Sequence, residues 1–255
     1  MHGAHDLRQL SEFAWTRTRA RLEGLTDDEY RWEPTALAWS VRRRPDGSVR
    51  ADWASWPDAP TFTTIAWRLW HLTVCYGEDR NADWLRPGVA GGGAERTAPR
   101  PDAAGAIAAL EAAHDWWRDL LAGLDDEALG EPLGPHAGPY AADDKGSFVL
   151  HLLDEQIHHG AEIGVLRDLY RDTVAAPPDP ALVALARGGR PAGAELDRLR
   201  VERPDLVRWA AANGFWAAVP VLVAAGFDVD ATAAGASALH HAASAGELEV
   251  ARLLV

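Results

Sequence analysis

Apolar residues recur at helical spacing along most of the chain, and four long segments follow this pattern. Their apolar positions fall three to four residues apart, which places them on one face of an α-helix. The four predicted helices span residues 6–25, 61–85, 101–124 and 147–171. Sustained strand-like alternation is not found in the sequence, so the pattern predicts an all-α protein.

A long irregular segment separates the first two predicted helices. Residues 32–60 hold four prolines, four tryptophans and the run Arg42-Arg43-Arg44. So long a loop inside a domain is usually functional or disordered. Because exposed aromatic side chains on that scale are unusual, the tryptophans favour a segment that packs over one end of the helices.

The last long helix carries polar residues in the middle of its apolar stripe. Glu155 and His159 lie on the stripe that Phe148, Leu152 and Leu166 define. A buried carboxylate is costly without a partner, so Glu155 needs a hydrogen-bonding neighbour or a metal ion. Residues four apart stack on one helix face, so both side chains can reach one ion. A Glu–His hydrogen bond that only stabilises the helix is the alternative.

Other candidate ligands fall on the neighbouring helices. His71 lies on the second long helix, which is apolar on two sides and is therefore expected to be buried. Cys75, one turn later, is interpreted as a small core residue, and His114 on the third helix as structural. His151 and His158 flank the stripe of the last helix.

Composition narrows the class of protein. The chain has 255 residues, enough for one large domain or two ordinary ones. Its net charge of −13 disfavours a nucleic-acid or anionic-membrane partner. The start of the chain does not resemble a signal peptide, and no apolar run approaches the length of a membrane span. Cys75 is the single cysteine, so no internal disulfide can form. These observations predict a soluble cytoplasmic protein.

The pattern changes after residue 172. A proline-rich linker at 173–180 leads into short, alanine-rich helical units at 181–255. Gly214 and Gly246 occupy matching positions in two of these units, 32 residues apart, close to the ankyrin period. The sequence SALHHA at 237–242 resembles the ankyrin T-P-L-H-x-A box. The resemblance implies an ankyrin-like repeat array over 181–255 that binds a protein partner.

Two stretches of the first 172 residues carry a second resemblance. They are TIAWRLWHL, which contains His71, and DEQIHHGAEIGVLRDLY, which contains Glu155 and His159. With the four long helices, they make residues 1–172 similar to the DinB-like superfamily. Members are four-helix bundles that hold a divalent metal with one histidine of the second long helix and two residues, four apart, of the fourth. Many members have histidine at both of those last positions. The His–Glu–His set here is similar to the branch of mycothiol-dependent maleylpyruvate isomerases, in which such a set binds zinc.

This resemblance implies a metal site made of His71, Glu155 and His159, with Zn²⁺ as the first choice of ion. Two histidines and a carboxylate suit Zn²⁺ with an open fourth position, and they also suit non-haem iron, nickel or manganese. The branch further implies a low-molecular-weight thiol such as mycothiol in the open position. The protein would then be a thiol S-transferase or isomerase-like enzyme that acts on a small molecule.

Two other functions stay open at this point. A water molecule in the open position would support hydrolysis instead of thiol transfer. A bundle that has lost catalysis would leave a protein-binding module with ankyrin-like repeats. Glu162, His158 and Glu78 are candidates for side chains that orient the metal ligands.

Overall fold

The computed structural model describes residues 3–53, 62–89 and 93–255. The chain divides into two compact units, Met1–Ala175 and Ala176–Val255. Within the described ranges α-helix dominates and the strands are two short ones, so the prediction of an all-α protein is confirmed. In those same ranges, no helix combines the length and the apolar character that crossing a membrane requires.

The described part of the first unit contains eight α-helices and a small hairpin. The helices are α1 (Ala4–Arg21), α2 (Asp27–Arg31), α3 (Ile65–Gly77), α4 (Arg80–Leu85), α5 (Gly93–Arg96), α6 (Ala103–Ala122), α7 (Asp126–Leu129) and α8 (Lys145–Tyr170). The hairpin pairs β1 (Val41–Arg43) with β2 (Val49–Ala51) in antiparallel register. A 3₁₀ turn at Pro135–Tyr140 and a π-helical turn at Arg171–Ala175 complete the unit.

The four long helices α1, α3, α6 and α8 form a bundle in which each packs against two others. Helix α1 contacts α8 and α6, and α3 contacts α6 and α8, which gives the order α1, α8, α3, α6 around the bundle. Large side chains fill its centre, among them Trp117, Tyr76, Leu110 and Leu152. Burial of such side chains contributes about 1.5–3 kcal/mol each, so packing rather than intrinsic helix propensity holds the bundle together.

Helices α1 and α8 approach closely at Gly160. A Cβ atom at that position would lie 2.6 Å from the hydroxyl of the buried Thr18. That hydroxyl also donates a hydrogen bond of 3.0 Å to the carbonyl of Ala14, one turn earlier in α1. Glycine is therefore required at residue 160 by the close contact between the two helices.

The predicted helix over 61–85 was too long, because the structure breaks it at Gly77. Glu78 leaves helical geometry with ψ of 140°. The buried side-chain amide of Asn81 donates to the carbonyls of Cys75 and Tyr76, at 2.8 and 2.9 Å. These bonds satisfy carbonyl groups that the end of α3 leaves without helical partners, so α3 ends there and α4 begins at Arg80.

The segment predicted to be irregular contains the β-hairpin. Its strands pair Val41 with Ala51, and Gly47 turns the chain with a φ of +83°. Part of this segment, including Trp56, lies outside the described residues. The prediction that the whole segment covers one end of the bundle therefore stays a prediction.

The second unit is built from six short helices. They are α9 (Pro180–Ala186), α10 (Gly193–Glu202), α11 (Leu206–Ala212), α12 (Ala218–Ala224), α13 (Ala238–Ala245) and α14 (Leu248–Leu253). Helix α11 packs against α12 and α13, and α13 packs against α14. Pro220 lies in the first turn of α12, where its missing N–H interrupts no helical hydrogen bond.

The loops that connect the helices of the second unit contain glycines with positive φ and one tight turn. Gly214 and Gly246 follow α11 and α13 with φ of +74° and +75°, values that glycine adopts without strain. Ala234 and Gly235 both have positive φ, and Ala233 pairs with Ala236 across them. This is a two-residue hairpin turn of the kind that favours positive φ at both central positions.

Candidate metal centre

The candidate centre lies between α3 and α8, which are neighbours in the bundle. Each helix begins at a side-chain cap that fixes its first turn. Thr64 accepts a hydrogen bond from the Trp67 amide at the start of α3, and Asp144 accepts one from Ser147 at the start of α8. Two well-anchored helices thus carry His71 on one side and Glu155 and His159 on the other.

One carboxylate oxygen joins the three predicted ligands. Glu155 Oε2 lies 3.2 Å from His71 Nε2 and 2.9 Å from His159 Nε2. The His159 side chain is 9% exposed, whereas those of His71 and Glu155 are 20% and 24% exposed. The cluster is therefore recessed but reachable from solvent. Without a metal, the two histidine contacts hold the pKa of Glu155 well below its usual range.

A second group of side chains fixes the ring of His159. Its Nδ1 lies 2.6 Å from Glu162 Oε2, and Arg68 Nε lies 3.0 Å from the same oxygen. Arg68 Nη1 also approaches Nδ1, at 3.0 Å. A carboxylate oxygen only accepts hydrogen bonds, so Nδ1–H of His159 donates to Glu162. That arrangement leaves Nε2 facing Glu155.

Burial and neighbouring charges have opposite effects on the pKa values of His159, Glu162 and Arg68. Burial lowers the pKa of the ring, but hydrogen bonds to Glu155 and Glu162 outweigh burial and raise it. Burial raises the pKa of Glu162, but the contact with His159 and the charge of Arg68 lower it overall. Burial lowers the pKa of Arg68 despite both carboxylates. Metal binding requires neutral imidazoles, and in that state the two carboxylates outweigh the one guanidinium, a negative balance that suits a cation.

Cys75 belongs to the same cluster. Its Sγ lies 3.6 Å from His71 Nε2, and donor atoms of His71, Cys75 and Glu155 all lie within 4.8 Å of one another. Burial raises the pKa of the thiol to about 12 in the absence of a metal. Donor atoms of His158, His159 and Glu162 form another such group, in which His158 is exposed.

Aromatic rings form one wall of the site. The indole of Trp67 stacks on His71 with the ring centres 4.9 Å apart and the planes 11° from parallel. Trp53 stacks on Trp67 at 6.1 Å and is 65% exposed. Trp67 Nε1 donates to the carbonyl of Asp52 at 2.8 Å, which ties this wall to the end of the hairpin.

A cleft of about 330 Å³ opens beside the cluster. Trp84, Tyr140 and Phe148 provide its aromatic surface, and Arg80 lies over the rings of Trp84 and Phe148. His151 lines the cleft, and its Nε2 is 4.0 Å from Glu155 Oε1. His151 therefore connects the cleft to the cluster, while His71, Glu155 and His159 do not line the cleft.

The structure distinguishes between side chains that the sequence had made equal candidates for orienting the metal ligands. Glu162 contacts a predicted ligand, whereas Glu78 pairs with Arg80 at 2.9 Å. Sequence reasoning missed Arg68 and assigned Cys75 to the core. Both carry a signal in the sequence: Arg68 is the one charged residue of α3, and Cys75 follows His71 by four residues.

Fold and cluster together define a four-helix bundle with a two-histidine, one-carboxylate set between its second and fourth long helices. The sequence model of the DinB superfamily matches residues 10–163, which is more than half of the chain. The chain belongs to the DinB superfamily, a metal-associated family. No curated protein and no solved structure matches the chain.

Proposed function

We propose that the first unit is a divalent-metal-dependent enzyme of the thiol S-transferase or isomerase-like type. His71, Glu155 and His159 would hold the metal, with Zn²⁺ as the first choice. The observation that carries this proposal is the position of Glu155 Oε2 between two Nε2 atoms, at 3.2 and 2.9 Å. One histidine Nε2 from each helix thus lies within 3.2 Å of this oxygen, and nitrogen and oxygen are donor types that zinc binds.

The spacing of the donors supports this assignment. Ligand atoms about 2.0–2.2 Å from a tetrahedral zinc ion lie about 3.4 Å from one another. The two histidine-to-carboxylate distances are shorter than that by a few tenths of an ångström to about half an ångström. Small rotations of the side chains would therefore open the cluster enough to admit an ion.

Supporting side chains match what such a site requires. Glu162 accepts the Nδ1–H of His159 at 2.6 Å and so keeps its Nε2 free to bind a cation. The flat contact with Trp67 holds the ring of His71. A divalent ion would supply Lewis acidity and keep the sulfur of a small thiol deprotonated.

Substrate recognition is assigned to the cleft beside the cluster. Its volume of about 330 Å³ suits a small molecule. The aromatic side chains of Trp84 and Phe148 favour a planar or apolar group. His151 lines the cleft and lies near enough to Glu155 to contact a molecule that also reaches the cluster.

Metal analysis of the purified protein tests this function. His71→Ala, Glu155→Ala and His159→Ala should each reduce bound metal sharply, whereas the exposed His136→Ala should leave it unchanged. A chelator should lower the melting temperature of the wild type, because metal binding is linked to folding.

The competing explanation is a metal-free cluster of hydrogen bonds among the same side chains. A chelator would then leave the melting temperature unchanged. The three substitutions would cost only about 1–3 kcal/mol of stability each, as for other buried polar groups. Stoichiometric metal that persists after Glu155→Ala and His159→Ala would contradict the metal assignment.

We infer that the second unit is an ankyrin-like array that binds a protein partner. The matching glycines after α11 and α13 and the hairpin turn at Ala234 and Gly235 support this inference. Thr232→Arg with Ala233→Arg, both in the exposed loop, should abolish co-purification of a partner without changing helical content. Equal recovery of the same proteins with the substituted chain would refute it.

A further inference from the structure

Helices α3 and α8 each carry a pair of potential ligands, four residues apart, where the two helices pack together. The pair on α8 is Glu155 and His159, and the pair on α3 is His71 and Cys75. Residues four apart lie on the same helix face, so each pair can bind a single ion. The two pairs meet because His71 Nε2 lies within 3.6 Å of both Cys75 Sγ and Glu155 Oε2.

The position of the sulfur fits a metal ligand. A zinc ion with a nitrogen at about 2.05 Å and a sulfur at about 2.3 Å, at the tetrahedral angle, separates these two atoms by about 3.6 Å. The distance between Cys75 Sγ and His71 Nε2 is 3.6 Å. Cys75 is 4% exposed, so its sulfur is held among these donors and away from bulk water.

We propose that Cys75 is the fourth protein ligand of the metal held by His71, Glu155 and His159. The proposal rests on the metal site of the proposed function and adds to it a site with two nitrogens, one oxygen and one sulfur. A thiolate selects Zn²⁺ or Co²⁺ over Mg²⁺, Ca²⁺ and Mn²⁺, which prefer oxygen ligands.

A cysteine ligand also changes what a small thiol must do at this site. The sulfur of Cys75 takes the position that an external thiol would occupy. The two thiols therefore compete, and the resting protein holds a closed site. This gives the chain a way to restrict access to the metal that a three-ligand site lacks.

Cobalt spectroscopy tests the proposal on the full chain. Metal-free protein is titrated with Co²⁺ in a buffer without thiols, and sulfur-to-cobalt charge transfer is recorded in the near ultraviolet. Cys75 is the single cysteine of the chain, so such a band has one source. We expect the band in the wild type and its loss in Cys75→Ala, with Zn²⁺ affinity lowered by about tenfold or more in a chelator competition. Adding 2-mercaptoethanol to Co²⁺-loaded Cys75→Ala should restore the band.

The possible results separate this proposal from the one on which it rests. Stoichiometric Co²⁺ binding by the wild type without the band would overturn Cys75 as a ligand and leave the three-ligand site standing. Absence of Co²⁺ binding, or binding that His71→Ala and Glu155→Ala leave unchanged, would refute the metal site itself. The wild-type spectrum decides the question even if Cys75→Ala does not fold. His136→Gln, which changes an exposed histidine outside the cluster, should keep the band.

Discussion

Replacing His114 by leucine should change how the stability of the first unit depends on pH. His114 is fully buried in α6, and its ring stacks on Trp15 with the centres 3.9 Å apart and the planes 7° from parallel. The ring of Tyr76 meets it edge-on at 5.6 Å. Neither ring nitrogen has a hydrogen-bond partner among the described residues. The imidazole thus packs between aromatic rings, and no acceptor among the described residues receives a ring N–H.

Burial, with a smaller contribution from the nearby charge of Arg118, lowers the pKa of His114 from 6.5 to about 4. The unfolded chain therefore binds a proton between pH 6.5 and 4 that the folded chain does not bind. Stability should fall as the pH falls through this window and then level off below it. The difference between the two pKa values corresponds to about 3 kcal/mol of unfolding free energy, which is a large part of the stability of an ordinary domain.

Urea unfolding of the wild type and of His114→Leu, followed by tryptophan fluorescence from pH 4 to 8, would measure this effect. The stability of the wild type relative to the variant should be constant above about pH 7.5 and should fall by up to about 3 kcal/mol towards pH 4. Taking the difference removes the contributions of the other histidines, and the exposed His136→Gln serves as the matched control. A difference that does not change with pH would refute the argument.

Three further predictions concern other parts of the first unit. Glu162→Ala should weaken Zn²⁺ binding by about 10–100-fold, because it removes the acceptor for His159 Nδ1–H; chelator competition would show this, and unchanged affinity would contradict it. Gly160→Ala should lower the melting temperature of the wild type, because its Cβ would clash with Thr18. In a Thr18→Ala background the same substitution should raise the melting temperature, since alanine favours helix by up to about 1 kcal/mol once the clash is gone. Equal effects in both backgrounds would count against the close contact. Asp144→Ala should cost about 1 kcal/mol in urea unfolding by removing the cap of α8, and a stability change near zero would show that the cap is dispensable.

Helical periodicity was enough to predict the four long helices, because their apolar stripes are long. The break at Gly77 was not predictable in the same way. It depends on Asn81 turning back to bind the carbonyls of Cys75 and Tyr76, a contact that apolar spacing does not record. The hairpin at 41–51 was missed because its strands are only three residues long.

The candidate site, like the fold, was predictable from the sequence only in part. Glu155 and His159 stand out in the sequence because a polar pair interrupts an apolar stripe. Their meeting with His71 came from a family resemblance, since periodicity does not say which helices are neighbours. Arg68 and Cys75 acquire a role only when α3 packs on α8, where Arg68 pairs with Glu162 and Cys75 lies near Glu155.

The packing of the last long helix against the start of the chain has a consequence for folding during protein synthesis. Arg167 of α8 pairs with the buried Glu29 at 2.7 Å and donates to the carbonyl of Glu23, a contact that spans 144 positions of the chain. At about 5–20 residues per second, a ribosome needs about 7 to 30 seconds to make the intervening chain. Until α8 emerges, Glu29 lacks its partner, α1 exposes the apolar face that α8 will cover, and half of the proposed ligands do not yet exist. The nascent bundle should therefore depend on chaperones until residue 170 has left the ribosome, and it should gain its metal only after that point.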